Sequence, residues 1–417
     1  MSTNLPFDII SQIIDTVGEN EDTNLLKELA LVSHCFHQIC CKHLFATVEL
    51  HNADPDYHLA SSKRGFVKLL RSKPDVVNYI RKLTYNFKVG QKYDDCSILL
   101  QFSPTHPSND DLLLSPILPN FLRTISRLNC LKINAFNLDW NTLDSSLTSA
   151  FLHLMHLPTI NHIDLSFIQN FPLSSLAPSV NLHRLNICNL KRTDPFLEEE
   201  IVVQSEMMPK IRELHTSNSS LMTTKLLHAK RQDGRLAFNF ADLRRLSTCL
   251  EDKQNVRYLL QNAKVLERLD LTVRYGQSLV GLHNILFPSA HTLKVLDLTG
   301  FLLGPRNVSF HQPFAGLCEE LEAMAGHNML ETLSFEVYVG FRDAEDSMGY
   351  IIQSVEKVLV KPGWSALRQV SFKVPIAGYV LENSAELSET LQSLPDKYLS
   401  HLLKLESVTF SYSVYVT

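Results

Sequence analysis

Residues 266–271 read LERLDL and residues 293–298 read LKVLDL, two stretches with leucine at the same three places. In each, one apolar residue is followed by a second three positions on and a third two beyond that. The last two are two apart, so an extended backbone points both to one side and turns the residue between them to the other. The first apolar residue then anchors the turn that enters the strand. The spacing recurs upstream at Ile80-Leu83-Tyr85, Leu128-Leu131-Ile133, Ile160-Ile163-Leu165, Leu182-Leu185-Ile187, more loosely at Ile211-Leu214-Thr216, and at Leu243-Leu246-Thr248. Downstream it recurs at Leu330-Leu333-Phe335, Leu367-Val370-Phe372 and Leu405-Val408-Phe410, which makes eleven copies. Self-similarity of this kind marks a repeat array.

Between copies the pattern turns helical. In AEDSMGYIIQSVEKVLV (344–360), Met348, Ile351, Ile352, Val355 and Val358 or Leu359 form an apolar stripe. A strand followed by a helix cannot bury its apolar face alone, whereas stacked units share a core. The prediction is an α/β solenoid with a parallel sheet on the concave side and helices on the convex side. This pattern resembles leucine-rich repeats. The copies lie 22 to 48 residues apart, against about 20 to 29 in regular arrays of that kind, so insertions are expected. The polar stretch at about 88–111 is one, ahead of a helix near Leu112 to Leu128, and TTKLLHAKRQDGRLAF (223–238) is a second. An ordinary domain of βαβ units also alternates strand with helix and is the competing architecture.

The first fifty residues read differently. LPFDIISQIIDTV (5–17) is predicted helical, with Pro6 near its start and Ile9, Ile13, Ile14 and Val17 on one stripe. After a turn around Gly18 to Thr23, NLLKELALVSHCFHQICCKHLF (24–45) carries apolar residues at helical spacing and a break near Ser33. Three short helices of this size bury little surface, and such a bundle depends on a neighbour for stability. Leu5-Pro6, Ile9 and Ile13, then LALVSHCFHQI and a closing Leu44-Phe45, resemble an F-box over residues 4 to 46. The layout of an F-box over 1–50 and repeats over 51–417, joined by the extended LFATVEL, is similar to the large F-box families of fungi. That resemblance implies docking of a Skp-type adaptor through Leu5, Pro6, Ile9, Ile13, Leu31 and Val32, with Phe36 where the family usually has tryptophan. It further implies a substrate-recognition subunit of a Skp–cullin–F-box ubiquitin-protein ligase, not itself an enzyme and needing no cofactor. A ligase-independent interaction scaffold is the alternative.

Composition is consistent with this reading. The chain is 45% hydrophobic and 20% charged, and its 39 basic and 44 acidic residues give a net charge of -5 without a basic field for nucleic acid or an anionic membrane. The N-terminus MSTNLPFDII has no basic region leading into an apolar one, and no apolar run approaches a membrane span. Cytosol or nucleus is therefore expected, with the eight cysteines as thiols and the sequons at Asn218 and Asn307 unused.

Motifs for nucleophilic, zinc-protease or nucleotide chemistry are missing: GxSxG, HExxH, a phosphate loop and GxGxxG do not occur. His34, His37 and Cys41 fall on one helical face, but no second Cys/His pair completes a zinc site, and Phe36, Ile39 and Cys40 are expected to pack inward. The acid pairs Asp94-Asp95 and Asp110-Asp111 sit in the polar insertion, where solvation is expected. A hydrolase would need a cleft with a converging nucleophile and base. The strand register instead turns Arg184, Arg245 and Arg268 to solvent in a row that Glu213 interrupts. These planar donors are candidates for an acidic or phosphorylated client, or for pairing with Asp164, Asp270 and Glu213.

Overall fold

The computed structural model describes residues 7–20, 22–52, 69–87, 117–192, 202–203, 208–251, 253–274, 277–302, 314–340, 344–377 and 384–416. It divides into two compact units, the first comprising 1–209 and 229–237, the second 210–228 and 238–417. Leu5, Pro6, the polar stretch at 88–111 and its acid pairs lie outside the described residues.

The first unit opens with α1 (Phe7–Glu19), α2 (Thr23–Leu29) and α3 (His34–Leu44). Asp22 accepts from Leu25 N–H and Ser33 from Phe36 N–H, so side-chain caps start α2 and α3. The break expected near Ser33 is thus present. Ile14, Leu26, Ile39 and Cys40 fill the centre of this bundle. Strands β1 (Thr47–Asn52), β2 (Lys82–Phe87), β3 (Cys130–Asp139), β4 (His162–Gln169) and β5 (Arg184–Cys188) follow and pair in parallel in that order. Between them lie helices α4 (Ile117–Leu122) and α5 (Ser145–Met155) and single 3-10 turns. Two short strands, β6 (Val202–Val203) and β8 (Lys230–Arg231), pair with each other.

In the second unit, β7 (Glu213–Ser217), β9 (Arg245–Cys249), β10 (Arg268–Val273), β11 (Val295–Leu302), β12 (Thr332–Val339), β13 (Gln369–Ile376) and β14 (Thr409–Val416) are again parallel neighbours in chain order. Helices α6 (Ser220–His228), α7 (Lys253–Asn262), α8 (Leu282–Leu286), α9 (Leu317–Met324), α10 (Ala344–Leu359), α11 (Ser384–Gln392) and α12 (Leu394–Tyr398) alternate with them. The stripe expected in α10 is buried at Met348, Ile351, Ile352, Val355, Val358 and Leu359. Both units therefore have the all-parallel, strand-then-helix arrangement of an α/β solenoid.

Register follows the sequence spacing. The middle apolar residues are Cα partners: Val48, Leu83, Leu131, Ile163 and Leu185 in the first unit; Leu214, Leu246, Leu269, Leu296, Leu333 and Val370 in the second. All are buried. Strand entry repeats as well: Arg81 and Lys82 N–H both donate to Ala46 C=O, Asn161 and His162 to Asn129 C=O, Glu267 and Arg268 to Arg244 C=O. One carbonyl with two lone pairs thus satisfies two successive donors at the turn.

Three expectations are corrected. Phe45-Val48-Leu50 is a further copy, with Val48 opposite Leu83. The last copy is displaced by two residues, because Phe410 rather than Val408 pairs with Val370, and Tyr412 rather than Phe410 with Phe372. Residues 223–238 are a surface insertion only in part: α6 runs through their start and buries Thr223, Leu226 and Leu227, Ala229, Ala237 and Phe238 are also in the core, and apart from His228 the exposed positions fall within the turn at 230–235.

Candidate docking surfaces

The first surface is on the N-terminal bundle. Along α1, Ile14 is buried with Ile10 and Val17 against it, whereas Ile9 and Ile13 stay 42% and 51% exposed. The single stripe expected for Ile9, Ile13, Ile14 and Val17 is therefore two, one spent on the core and one turned to solvent. Helix α2 stops at Leu29, so Leu31 and Val32 sit in the turn before α3 rather than within a helix. Their N–H groups donate to Glu28 and Leu29 C=O, and their side chains are 87% and 65% exposed. Phe36 differs: it packs against the bundle core. Ile9, Ile13, Leu31 and Val32, with Phe7 and Leu25, thus face water on a bundle whose interior is filled by other residues. Cys40 and Cys41 are buried, and Cys41 Sγ lies 3.5 Å from His37 Nε2.

The second surface is the solvent-facing side of the sheet in the second unit. Arg245 and Arg268 are Cα partners there, and acids answer both. Arg245 lies 3.9 Å from Glu213, while Arg268 contacts Asp270 and Asp297 at 2.8 Å each. Asp270 and Asp297 are partners on β10 and β11. Burial, then the hydrogen bond with Asp270, pushes Asp297 up to about 6, with Ser334 and Arg268 opposing. Arg268 approaches Asp297 Oδ2 without hydrogen-bond alignment, and that oxygen is buried without a hydrogen-bond partner.

The third is the solvent-facing side of the first unit's own sheet, where Arg184 stands beside His162 and His162 beside Cys130. Cys130 Sγ is 3.2 Å from His162 Nδ1, and Asn186 Nδ2 is 3.5 Å from His162 Nε2. Burial and the neighbouring Arg184 push His162 down to about 4, and burial pushes the Cys130 thiol up. Both groups are thus held neutral near pH 7, whereas a cysteine nucleophile needs the thiolate. Side-chain amides bridge the strands beside this pair: Asn86 donates to Glu49 (2.5 Å), Asn134 to Asn86 (2.9 Å) and Asn186 to Asp164 (3.3 Å).

No protein-family model matches the chain, and no curated protein does. Among solved structures it is similar to a crystal structure of a Bacteroides fragilis protein, with 10% identity and a TM-score of 0.28, covering 85% of this chain and 71% of that one. A likeness this low carries no argument.

The cross-strand group of Cys130, His162 and Asn186 was not legible as a group before register was known. Neither was the end of the same face, where Phe136 and Phe167 stack at 6.0 Å with rings inclined by 17°. Phe167 has φ 58. Alternation along β4 would bury position 167, since Ile163 and Leu165 point inward. The left-handed residue rotates the ring out, and Ile168 takes the buried place. A bulky residue in this region costs on the order of 1–3 kcal/mol.

Proposed function

We propose that this chain is the substrate-recruiting subunit of a Skp–cullin–F-box ubiquitin ligase, holding a Skp-type adaptor with its N-terminal helices and a client protein with its repeats. It acts in the cytosol or nucleus and breaks no bond itself. The observation that carries this reading is the exposure of Ile9, Ile13, Leu31 and Val32. These are positions at which the F-box resemblance expects adaptor contact, and the bundle does not need them for its own core. Apolar side chains left in water at such positions supply the driving force for a docked partner at roughly 25 cal/mol per Å² covered. Affinity capture of the tagged chain, with and without proteasome inhibition and read by mass spectrometry, tests it. Adaptor and cullin should be recovered together, with clients accumulating on inhibition. Recovery of adaptor without cullin would favour a ligase-independent scaffold.

A further inference from the structure

The solvent-facing side of the first unit's sheet has two unlike ends. At the strand starts, paired positions of β1 to β5 hold Thr47, Lys82, Cys130, His162 and Arg184, a row with two cations and no acid. The next row adds Lys132 together with Glu49 and Asp164. Glu49 is engaged by Asn86 and by His51 at 3.2 Å, and Asp164 by Asn186, Ser166 and, at 3.9 Å, Lys132. His162 lies among these charges: burial first, then Arg184, hold its ring neutral, with Lys132 and Lys82 adding to the shift and Asp164 opposing it. At the far end, Phe136 and Phe167 expose 36% and 40% of their surface. The strained backbone of Phe167 holds its ring out of a core position, and strain of that kind persists where it serves a site.

We propose that this face binds an extended client segment whose acidic side chains meet Lys82, Lys132 and Arg184 and whose aromatic or long aliphatic side chain stacks on Phe136 and Phe167. The inference rests on reading the repeats as the client-binding part of the chain. At about 3.3 Å per residue, the five steps from His162 to Phe167 span about 16 Å, so acid and apolar anchor stand about five residues apart in the segment. The amides of Asn86, Asn134 and Asn186 lie between the two ends, where they can hydrogen-bond a peptide backbone. A protein segment fits better than the other occupants. A polyanion such as nucleic acid would lay phosphates against Glu49 and Asp164 as well as against the cations. A second copy docked face to face would oppose two surfaces that each carry, among the described residues of these two rows, Lys82, Lys132 and Arg184 against Glu49 and Asp164.

A random dodecapeptide phage library panned on the immobilised full chain tests this without adaptor or cullin. Enriched peptides should carry Asp or Glu about five residues from an aromatic or leucine. A synthetic fluorescein-labelled peptide of the enriched sequence should then bind the free chain, with anisotropy showing at least tenfold loss for Phe167→Gly and for Lys82→Glu/Arg184→Glu. Phe167→Gly should leave Tm unchanged or higher, because glycine adopts φ 58 without strain, so lost binding in that variant is not lost fold. The proposal is overturned by a library that yields no enrichment, by enriched peptides lacking the acid-to-apolar spacing, or by full affinity for Phe167→Gly. A concentration-dependent dimer abolished by Phe167→Gly would assign the face to a second copy and overturn it too. Leu31→Asp/Val32→Asp, which removes the adaptor surface, should keep peptide affinity, so failure of the ligase reading and failure of this one give different results.

Discussion

His43 Nε2 lies 2.6 Å from Asp15 Oδ1, tying the last turn of α3 to the middle of α1, and Lys42 reaches the same oxygen at 3.3 Å. Burial pulls the Asp15 pKa up, and the hydrogen bonds from His43 and Lys42 more than reverse it, leaving the carboxyl below its ordinary 3.8. A depressed carboxyl contributes stability above its unfolded pKa and loses it as pH falls through the folded value. The bundle should therefore weaken below about pH 4. Asp15→Asn should flatten that acid limb, by a small amount because the side chain is 41% exposed. Hydrogen exchange at the amides of Ile14 and Ile39 across acid pH reads it.

The His43 ring occupies the space where a Cβ on Gly18 would stand. Gly18→Ala should destabilise the chain despite alanine's better helix propensity, because the ring must give way. In a His43→Ala background the same change should instead stabilise by about 0.5–1 kcal/mol, the propensity gain alone. Urea unfolding of the four variants checks for that reversal of sign, and an unchanged sign would remove His43 as the cause.

Charged residues at Leu31 and Val32 should abolish capture of a Skp-type adaptor. Because both side chains are already in water, the double variant should melt within about 0.5 kcal/mol of the parent, as surface changes usually do. Pull-down and a melting curve on one preparation decide both halves.

Leu269 is fully buried and is the Cα partner of both Leu246 and Leu296. Leu269→Ala should cost about 2–5 kcal/mol, through lost contact and the cavity left behind. Asp270→Ala, one residue on and facing solvent, should cost less than about 1 kcal/mol. Equal shifts in a denaturation midpoint would contradict the register.

Asp297, pushed from 3.8 up to about 6, has the opposite sign from Asp15. Its raised folded pKa makes stability decline as pH rises from about 4 to about 6, after which the penalty is complete. At about 1.4 kcal/mol per pH unit the ceiling is roughly 3 kcal/mol, a figure that already contains the opposing pull of Arg268. Asp297→Asn should accordingly raise the Tm at pH 7.5 and leave it nearly unchanged at pH 4. A lower Tm at pH 7.5 would show the Arg268 pair to dominate.

The strands were legible because a period of two must match burial on one face, and the three-plus-two spacing states that match residue by residue. Even the loose copies obey it: Thr216 and Thr248 occupy last-apolar positions on adjacent strands and bond each other at 2.7 Å, so two buried hydroxyls satisfy one another. The final copy slipped because Val408, Phe410, Tyr412, Val414 and Val416 alternate without interruption and offer several equivalent frames. Stacking of Phe335 on Phe372, followed by Phe410, lies in the tertiary register that sequence alone does not carry. In IISQII (9–14) the doubled isoleucines serve two stripes at once, and only packing shows which one is core. Phe167-Ile168, two apolar residues in succession within an alternating strand, was the available signal of the left-handed residue. Cys130 and His162, 32 residues apart, left none.

Strands β2 and β3 begin 48 residues apart, at Lys82 and Cys130, and β4 and β5 begin 22 apart, at His162 and Arg184, yet each pair meets in the same register. Closing a longer connection costs only about 0.6 kcal/mol per doubling of its length, whereas moving a strand by one residue would turn its leucines to water. Selection can therefore lengthen, shorten or replace connectors almost freely while the strands stay fixed. Related chains should align at six-residue islands and drift apart everywhere between them.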